Sequence, residues 1–468
     1  MRKTRHCAVW AKAYLLALVL AFPCVSLCQS GLAPLRLATT EEPLGKLSPD
    51  LKIVSVYSKN SERIAIVVER GGKQSVLIDG VQGKEYDSIL DEDVRFSPNT
   101  KRIAYVGVIG AKHIVICDGK EGKAHEEIAM QEKLPCRVCP SVFFGTGMMS
   151  FSARSLTLIS LGLKFSPDSS RIAYVARNGS KWVAVIDGEE GPEFEAIWGK
   201  FISFSPDGSR LAYVAKRNGK ELVVVDGKEG KTYDSIACME IKSYGPSASL
   251  FSARGTASWG ASGPTFSPNA KSLAFAAQRD GKWMIVTEGK EGTAYETVTD
   301  FLFSPDSAQF SYLAKRGEKW LQVVGETEGK EYELVSDHSF SPVGKRLVCR
   351  VLRAGKQLVV VDGKEGREYE SVGLPVFSPD GKRVAHGAGR DAKAVVVVDG
   401  EEGKDFDAVD TPLFSPDGTR VAYGAKIGER YVNVCGESGK EYDAVGPCVF
   451  SPNSKRMAFW AKRGTKDS

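Results

Sequence analysis

Residues 377–409 read FSPDGKRVAHGAGRDAKAVVVVDGEEGKDFDAV, and this stretch holds one complete unit of the chain. Proline fixes φ and glycine accepts a positive φ, so their pairing with aspartate is typical of tight turns. Turn signals lie at Pro379-Asp380-Gly381, Arg390-Asp391 and Asp399-Gly400. Apolar or alternating runs occupy 384–388, 394–398 and 405–409, the last of which favours an outer strand. With the Phe-Ser-Pro segment itself, the unit predicts four short strands.

The unit is repeated along the chain. Phe-Ser-Pro begins at Phe96, Phe165, Phe204, Phe266, Phe303, Phe340, Phe377, Phe414 and Phe450. The step is 37 residues from Phe266 to Phe414, and a degenerate copy begins at Tyr57-Ser58. Periods near 40 with four strands are the signature of a propeller blade, and no segment keeps a helical period. The sequence therefore predicts an all-β protein, a β-propeller of four-stranded blades with about nine to ten blades.

Two units carry a resemblance to a known family. Residues 204–225, FSPDGSRLAYVAKRNGKELVVV, and residues 414–426, FSPDGTRVAYGAK, resemble the repeats of TolB-like and WD-type bacterial β-propellers. The resemblance covers nearly all of residues 50–463. The units differ from TolB repeats in being shorter and in their Asp-Gly-Lys-Glu-Gly signature, as at Asp362 to Gly366, and no separate TolB-like N-terminal domain is visible. The resemblance implies the fold but not the TolB role, because propellers serve many functions.

The first 30 residues have the pattern of a signal peptide. A basic start is followed by the apolar run 13–22 and by small residues near 26–31. We therefore expect residues 1–30 to be removed, leaving a propeller at 31–468 that is exported to the periplasm or the extracellular space. Val25 to Cys28 resembles a lipoprotein box, but the bulky Leu27 disfavours lipid anchoring through Cys28. No other apolar stretch is long enough for a membrane helix, so no transmembrane segment is expected in the mature chain.

The charge balance excludes one class of partner. The net charge is +5, but the first 30 residues hold four basic residues and no acid. Without them about one positive charge remains, spread among alternating signs. Binding to nucleic acid requires a basic patch or stripe, which this sequence lacks.

The cysteines predict neither a metal site nor a disulfide framework. Seven remain beyond residue 30, and an odd number excludes complete pairing. Cys117 and Cys435 lie in apolar strand patterns and are expected to be small buried hydrophobes. Cys136 and Cys139 form the one CxxC pair, without the second pair that zinc requires. We expect a local disulfide there, and no metal or cofactor.

Residues that recur in every unit are expected to build the blade. The aspartate of Ser-Pro-Asp is replaced by asparagine in some units, as at Asn99, Asn269 and Asn453. Hydrogen bonding within the turn explains both residues, whereas a metal site would need the carboxylate. The aromatic residues of the fourth strand are expected to pack between neighbouring blades: Tyr86, Phe194, Tyr233, Tyr295, Tyr332, Tyr369, Phe406 and Tyr442.

No catalytic motif is present. There is no Gly-x-Ser-x-Gly elbow, and no second histidine follows His125-Glu126 at zinc spacing. Gly230-Lys231-Thr232 lacks the first glycine of a phosphate loop, since Val225 stands there. We therefore predict a non-enzymatic scaffold in the cell envelope that binds a protein or polymer. Two alternatives stay open: an enzyme with paired carboxylates in a funnel, such as a glycosidase, and a purely structural spacer.

Two insertions, 129–163 and 237–264, break the period between the fourth strand and the next Phe-Ser-Pro. Both contain Phe-Ser-Ala-Arg, at 151–154 and 251–254. Equivalent connections leave a propeller from one face, so the insertions are expected on one side, two blades apart. One interpretation is a contact surface; the other is a padding hairpin that covers a blade edge. The candidate partner-binding residues are Phe151, Arg154, Phe251, Arg254 and Trp259.

The two ends of the chain are predicted to share one blade. The last Phe-Ser-Pro unit stops after two strands, near Ala461, and residues 35–38 and 45–47 have the spacing of the missing two. Closure of a ring removes exposed sheet edges, which favours about ten blades. Two smaller rings or an incompletely closed ring remain alternatives.

Overall fold

A computed structural model describes residues 48–464 apart from 49, 60–62, 91–93, 130–161, 199–201 and 238–262. Every regular element in this part of the chain is a β-strand. The strands form nine antiparallel sheets of four strand positions, which we number blades 1 to 9, and a terminal half-blade. The chain is thus an all-β protein of propeller type, as the repeat predicts.

In each blade the strands follow one another in the sheet as they do along the chain. The second strands are Arg63–Arg70, Ile103–Ile109, Ile172–Asn178, Leu211–Arg217, Leu273–Arg279, Phe310–Arg316, Leu347–Arg353, Val384–Arg390 and Val421–Ile427. The third strands are Lys73–Ile78, Lys112–Cys117, Lys181–Ile186, Lys220–Val225, Lys282–Thr287, Lys319–Val324, Lys356–Val361, Lys393–Val398 and Arg430–Cys435. The fourth strands are Val81–Gln82, Lys120–His125, Glu189–Glu190, Lys228–Tyr233, Lys290–Glu291, Thr327–Tyr332, Lys364–Glu365, Glu401–Glu402 and Glu437–Ser438.

The first strand is continuous in three blades and split in six. It is continuous at Lys52–Lys59, Thr297–Phe303 and Leu334–Phe340, which are blades 1, 6 and 7. In the other blades both pieces pair with the same second strand. The split pairs are Ser88–Ile89 and Arg95–Phe96, Glu127–Ile128 and Lys164–Phe165, Ala196–Ile197 and Ser203–Phe204, Ser235–Ile236 and Thr265–Phe266, Ser371–Val372 and Val376–Phe377, and Ala408–Val409 and Leu413–Phe414.

The expected outer strand at 405–409 is corrected by the structure. Phe406 pairs with Ala394 of blade 8, but Ala408 already pairs with Lys426 of blade 9. The chain therefore crosses from one blade to the next within these five residues. Phe406 and Val409 pack in the same apolar cluster, each from a different sheet.

The core lies between the blades. The described residues form eight buried apolar clusters, and each is shared by two consecutive blades. The second and third strands supply most of it because their apolar runs face a neighbouring sheet on both sides. The predicted packing of the fourth-strand aromatics is confirmed: Tyr86 meets Tyr105 of the next blade edge to face at 6.4 Å, and Phe406 meets Tyr423 at 6.1 Å.

The terminal half-blade has the first and second strand positions only. Ala444–Val445 pairs with Ala461–Lys462, and Val449–Phe450 pairs with Met457–Ala458. Residues 35–38 and 45–47, which were predicted to complete this blade, lie outside the described residues. Closure of the ring therefore stays a prediction.

Candidate functional site

In most blades, an arginine at the start of the second strand forms contacts with the next blade. Arg383 of blade 8 donates through Nε to Asp399 Oδ2 at 2.7 Å and through Nη1 to the Thr419 carbonyl of blade 9 at 3.0 Å. Its guanidinium lies 5.6 Å from the ring centre of Phe414. Equivalent arginine–aspartate pairs occur in five other blades, with Arg63, Arg102, Arg171, Arg210 and Arg346. Ser272 and Gln309 replace the arginine in blades 5 and 6.

A tyrosine–glutamate bridge joins many of the same blades at their fourth strands. Tyr332 of blade 6 donates to Glu365 Oε1 of blade 7 at 2.8 Å, and Arg353 donates to Glu365 Oε2 at 3.0 Å. These two bonds lower the pKa of Glu365 to about 2. Similar bridges link Tyr86 to Glu121, Tyr233 to Glu291, Tyr295 to Glu328 and Tyr369 to Glu402. The sequence reasoning had predicted the packing of these aromatics but missed their hydroxyl bonds.

The repeated Ser-Pro-Asp turns behave as expected. Asp380 Oδ1 accepts a bond from the Lys382 backbone N–H at 3.1 Å, and Asn453 Oδ1 accepts the equivalent bond from Lys455 at 3.2 Å. Aspartate and asparagine therefore accept the same hydrogen bond in the turn. Within the described ranges, no group of three or more metal-ligating side chains comes together.

The four cysteines that the structure describes are free thiols. Cys117 and Cys435 are half-buried, while Cys349 and Cys448 are buried. Burial raises the pKa of Cys349 to about 12 and that of Cys117 to about 11, which makes both poor nucleophiles. The predicted disulfide between Cys136 and Cys139 lies outside the described residues.

Each insertion separates the two pieces of a first strand. Ile128 pairs with Ala176 on one side of the first insertion, and Phe165 pairs with Ile172 on the other. The second insertion has the same setting, and there Gly263 N–H bonds to the Ala237 carbonyl at 3.2 Å. The two residues before each insertion, which the repeat places at the end of a fourth strand, thus form the first piece of the next blade's first strand. The candidate residues within the insertions lie outside the described residues: Phe151, Arg154, Phe251, Arg254 and Trp259.

Charged groups collect on the first strands of blades 6 and 7. Asp300 and Asp337 stand at equivalent positions, each with a φ of 51°. Arg350 forms an ion pair with Asp337 and donates to the Val372 carbonyl at 2.7 Å. Desolvation, with a smaller contribution from the charge of Asp337, raises the pKa of Asp300. Two carboxylates and one guanidinium therefore come together here, and the sequence reasoning had not singled them out.

Apolar side chains are exposed near the first strands of blade 8, blade 9 and the half-blade. Leu374 is 37% exposed, Leu413 is 44% exposed and Val449 is 62% exposed. Leu413 and Val449 occupy one repeat position, directly before the phenylalanine of Phe-Ser-Pro; blades 2 and 3 carry Arg95 and Lys164 there. The edge formed by the first strands, which we call the first-strand edge, therefore carries basic residues at this position in blades 2 and 3 and exposed apolar residues in blade 9 and the half-blade, while blade 1 exposes Ile53 and Val56.

The first-strand edge carries both carboxylates and exposed aliphatic side chains. A glycosidase active site in the funnel would need two carboxyl groups on either side of a bound sugar. One of these carboxyl groups would have to be free to act as a general acid. In the part that the structure describes, Asp337 is neutralised by Arg350, which leaves Asp300 as the unpaired carboxylate of that group. The exposed aliphatic side chains of this edge lie in other blades, namely blade 8, blade 9 and the half-blade.

No family model and no curated protein matches the chain. Among solved structures it is similar to a eukaryotic initiation factor at 11% identity, over 82% of this chain and 97% of that one, with a TM-score of 0.33. It is similar to TolB from Acinetobacter baumannii at 16% identity, over 59% of this chain and 66% of that one, with a TM-score of 0.24. It is similar to the β-propeller domain of the Trilobed protease from Pyrococcus furiosus at 13% identity, over 58% and 91%, with a TM-score of 0.25.

At such identities the likeness concerns the fold, which the repeated blades of this chain already define, and the role of none of the neighbours carries over. In the described residues, no helix is long and apolar enough to cross a membrane.

Proposed function

We propose that this chain is an exported, non-catalytic β-propeller that binds a protein or an envelope polymer through its first-strand edge. The observation that carries the proposal is the common root of the two insertions. Both interrupt the first strand at the same point, in blades 3 and 5. In blade 8 this point holds three residues, between Val372 and Val376. Two long additions at one repeat position favour a shared role on one edge of the blades.

The remaining surface of the blades supports the same interpretation. At the fourth-strand edge, Glu365 and Glu402 each accept a hydrogen bond from a tyrosine of the preceding blade and contact an arginine of their own blade. The first-strand edge carries the unpaired Asp300 and exposed aliphatic side chains such as Leu413 and Val449. Groups that are not used within the fold are available to a partner.

The test is the replacement of Phe151, Arg154, Phe251 and Arg254 with alanine. The variant is expected to fold with an unchanged melting curve and to lose capture of the native partner from an envelope fraction. A matched control replaces four exposed fourth-strand residues with alanine, Lys120, Lys228, Lys364 and Glu401, and should still capture it. If the first variant fails to fold, the insertions are structural and the proposal is lost. Equal capture by both variants would also overturn it.

A further inference from the structure

Blade 9 has an opening in its second strand that the first blades lack. Gly424 stands where blades 2, 3 and 4 have Val106, Val175 and Val214. A Cβ atom on Gly424 would overlap Asp410 Oδ2 and would lie 3.6 Å from Asn433 Oδ1. The absent side chain therefore leaves room for two oxygen atoms, one from each neighbouring strand.

The first oxygen belongs to an accessible carboxylate. Asp410 lies between the two pieces of the first strand, and its backbone N–H donates to the Gly424 carbonyl at 2.8 Å. Its side chain remains exposed, and the described residues provide it with no ion-pair partner. The dense surroundings still desolvate the group, which raises the pKa of Asp410.

The second oxygen is a buried acceptor without a donor. Asn433 pairs with Gly424 in the third strand, at the position where blade 2 has Val115, and it is 3% exposed. Its Nδ2 donates to the Gly446 carbonyl at 3.5 Å, while Oδ1 has no hydrogen-bond partner in the described part of the chain. Leaving a buried acceptor unpaired is costly, so such a group points to a missing donor.

We propose that Asp410 and Asn433 form a seat for a cationic hydrogen-bond donor, the lysine or arginine side chain of a protein partner. Both oxygens face the space over Gly424, where the amide oxygen of Asn433 and the ionised carboxylate of Asp410 accept hydrogen bonds, and the carboxylate adds a negative charge. Trp460 is 60% exposed and lies against Gly446, so its indole offers a face to the same cation. Leu413, 44% exposed, can pack on the aliphatic stem of such a side chain.

The seat lies in blade 9, and a small cation can replace the partner's side chain in the test. The probe is n-butylguanidinium chloride, with the uncharged n-butylurea as its counterpart, and binding is followed by NMR titration of the full chain. We expect saturable binding of butylguanidinium and at least about tenfold weaker binding of butylurea. Asp410→Asn should weaken butylguanidinium binding by at least about tenfold, because it removes the charge. Asn433→Val, which restores the residue type of blade 2, should weaken it less.

The control is Glu401→Gln, which changes an exposed acid of the fourth-strand edge and should leave butylguanidinium binding unchanged. The proposal is overturned if wild-type protein shows no saturable binding, or if Asp410→Asn binds as well as wild type. Either result would mean that the two oxygens over Gly424 do not form a cation site. Loss of binding in Glu401→Gln alone would move the cation site to blade 8 and would also overturn the proposal.

Discussion

The junction between blades 8 and 9 and the junction between blades 6 and 7 are held by opposite means. Blade 8 reaches blade 9 through Arg383, while Phe406 occupies the tyrosine position and has no hydroxyl to donate. Blade 6 has Gln309 instead of the arginine and reaches blade 7 through the bond from Tyr332 to Glu365. Apolar clusters fill both junctions. The comparison teaches that the polar bonds are interchangeable, whereas the apolar packing is required at each junction.

The junction between blades 6 and 7 also contains a buried histidine. His338 in the first strand of blade 7 is 2% exposed and forms a hydrogen bond with the backbone of Ser311 in blade 6. Burial lowers the pKa of His338 to about 4. The arginine-held junction between blades 8 and 9 has no described histidine at the equivalent first-strand position, where Thr411 and Pro412 stand.

The largest expected effect is a loss of stability in acid at the histidine junction. The unfolded chain protonates His338 near pH 6.5, but the folded chain does so only near pH 4. The unfolded state therefore binds more protons in this window, and this group lowers the free energy of unfolding by about 3 kcal/mol as the pH falls from 7 to 4. Urea unfolding at pH 7, 5 and 4 measures the change.

The histidine prediction has a matched pair of variants. His338→Gln should reduce the pH dependence between pH 7 and 4 without abolishing it, because burial also lowers the pKa of His125 and His386. His113→Gln, in the third strand of blade 2, should retain the full dependence. An equal pH dependence in His338→Gln and wild type would show that burial of this imidazole does not govern the acid response.

The second expected effect comes from removing the arginine at the junction between blades 8 and 9. Arg383→Ala removes the bonds to Asp399 and Thr419 and should lower the free energy of unfolding by about 2 kcal/mol, with solvent screening limiting the loss. Hydrogen exchange should accelerate in blades 8 and 9, because repeated units are coupled mainly to their neighbours. Arg346→Ala is the control, since Tyr369 still bonds to Glu402 across its junction. If hydrogen exchange accelerates equally in Arg383→Ala and Arg346→Ala, the arginine and tyrosine bonds are not interchangeable.

The smallest effect removes the tyrosine hydroxyl. Tyr332→Phe should lower the free energy of unfolding by about 1 kcal/mol, the usual value of one hydrogen bond. Hydrogen exchange should accelerate between blades 6 and 7, where Gln309 offers no arginine contact. Tyr369→Phe, with Arg346 in place, should accelerate exchange less. A Tyr332→Phe protein that exchanges like wild type would show that apolar packing alone holds this junction.

Much of the fold could be predicted because the same turn residues return at a fixed period. The Ser-Pro-Asp turns, the strands that follow them and the interblade packing of the aromatics are all local or repeated features. The blade boundary at 405–409 was misplaced, since hydrogen-bonding partners of a two-residue strand leave no mark in its sequence. For the same reason, the two-residue strand pieces that flank the insertions could not be assigned to the next blade from the sequence.

The sequence by itself determined the blade: its four strands, its turns and the number of its copies, because backbone preferences and apolar periodicity act over a few residues. The tertiary structure alone decided which polar groups meet. Asp410 and Asn433 are 23 positions apart and come together over Gly424 only because three strands pair in register. Arg383 and Thr419, or Tyr332 and Glu365, meet only because successive blades stack. Such contacts depend on the alignment of whole sheets, which no short stretch of sequence encodes.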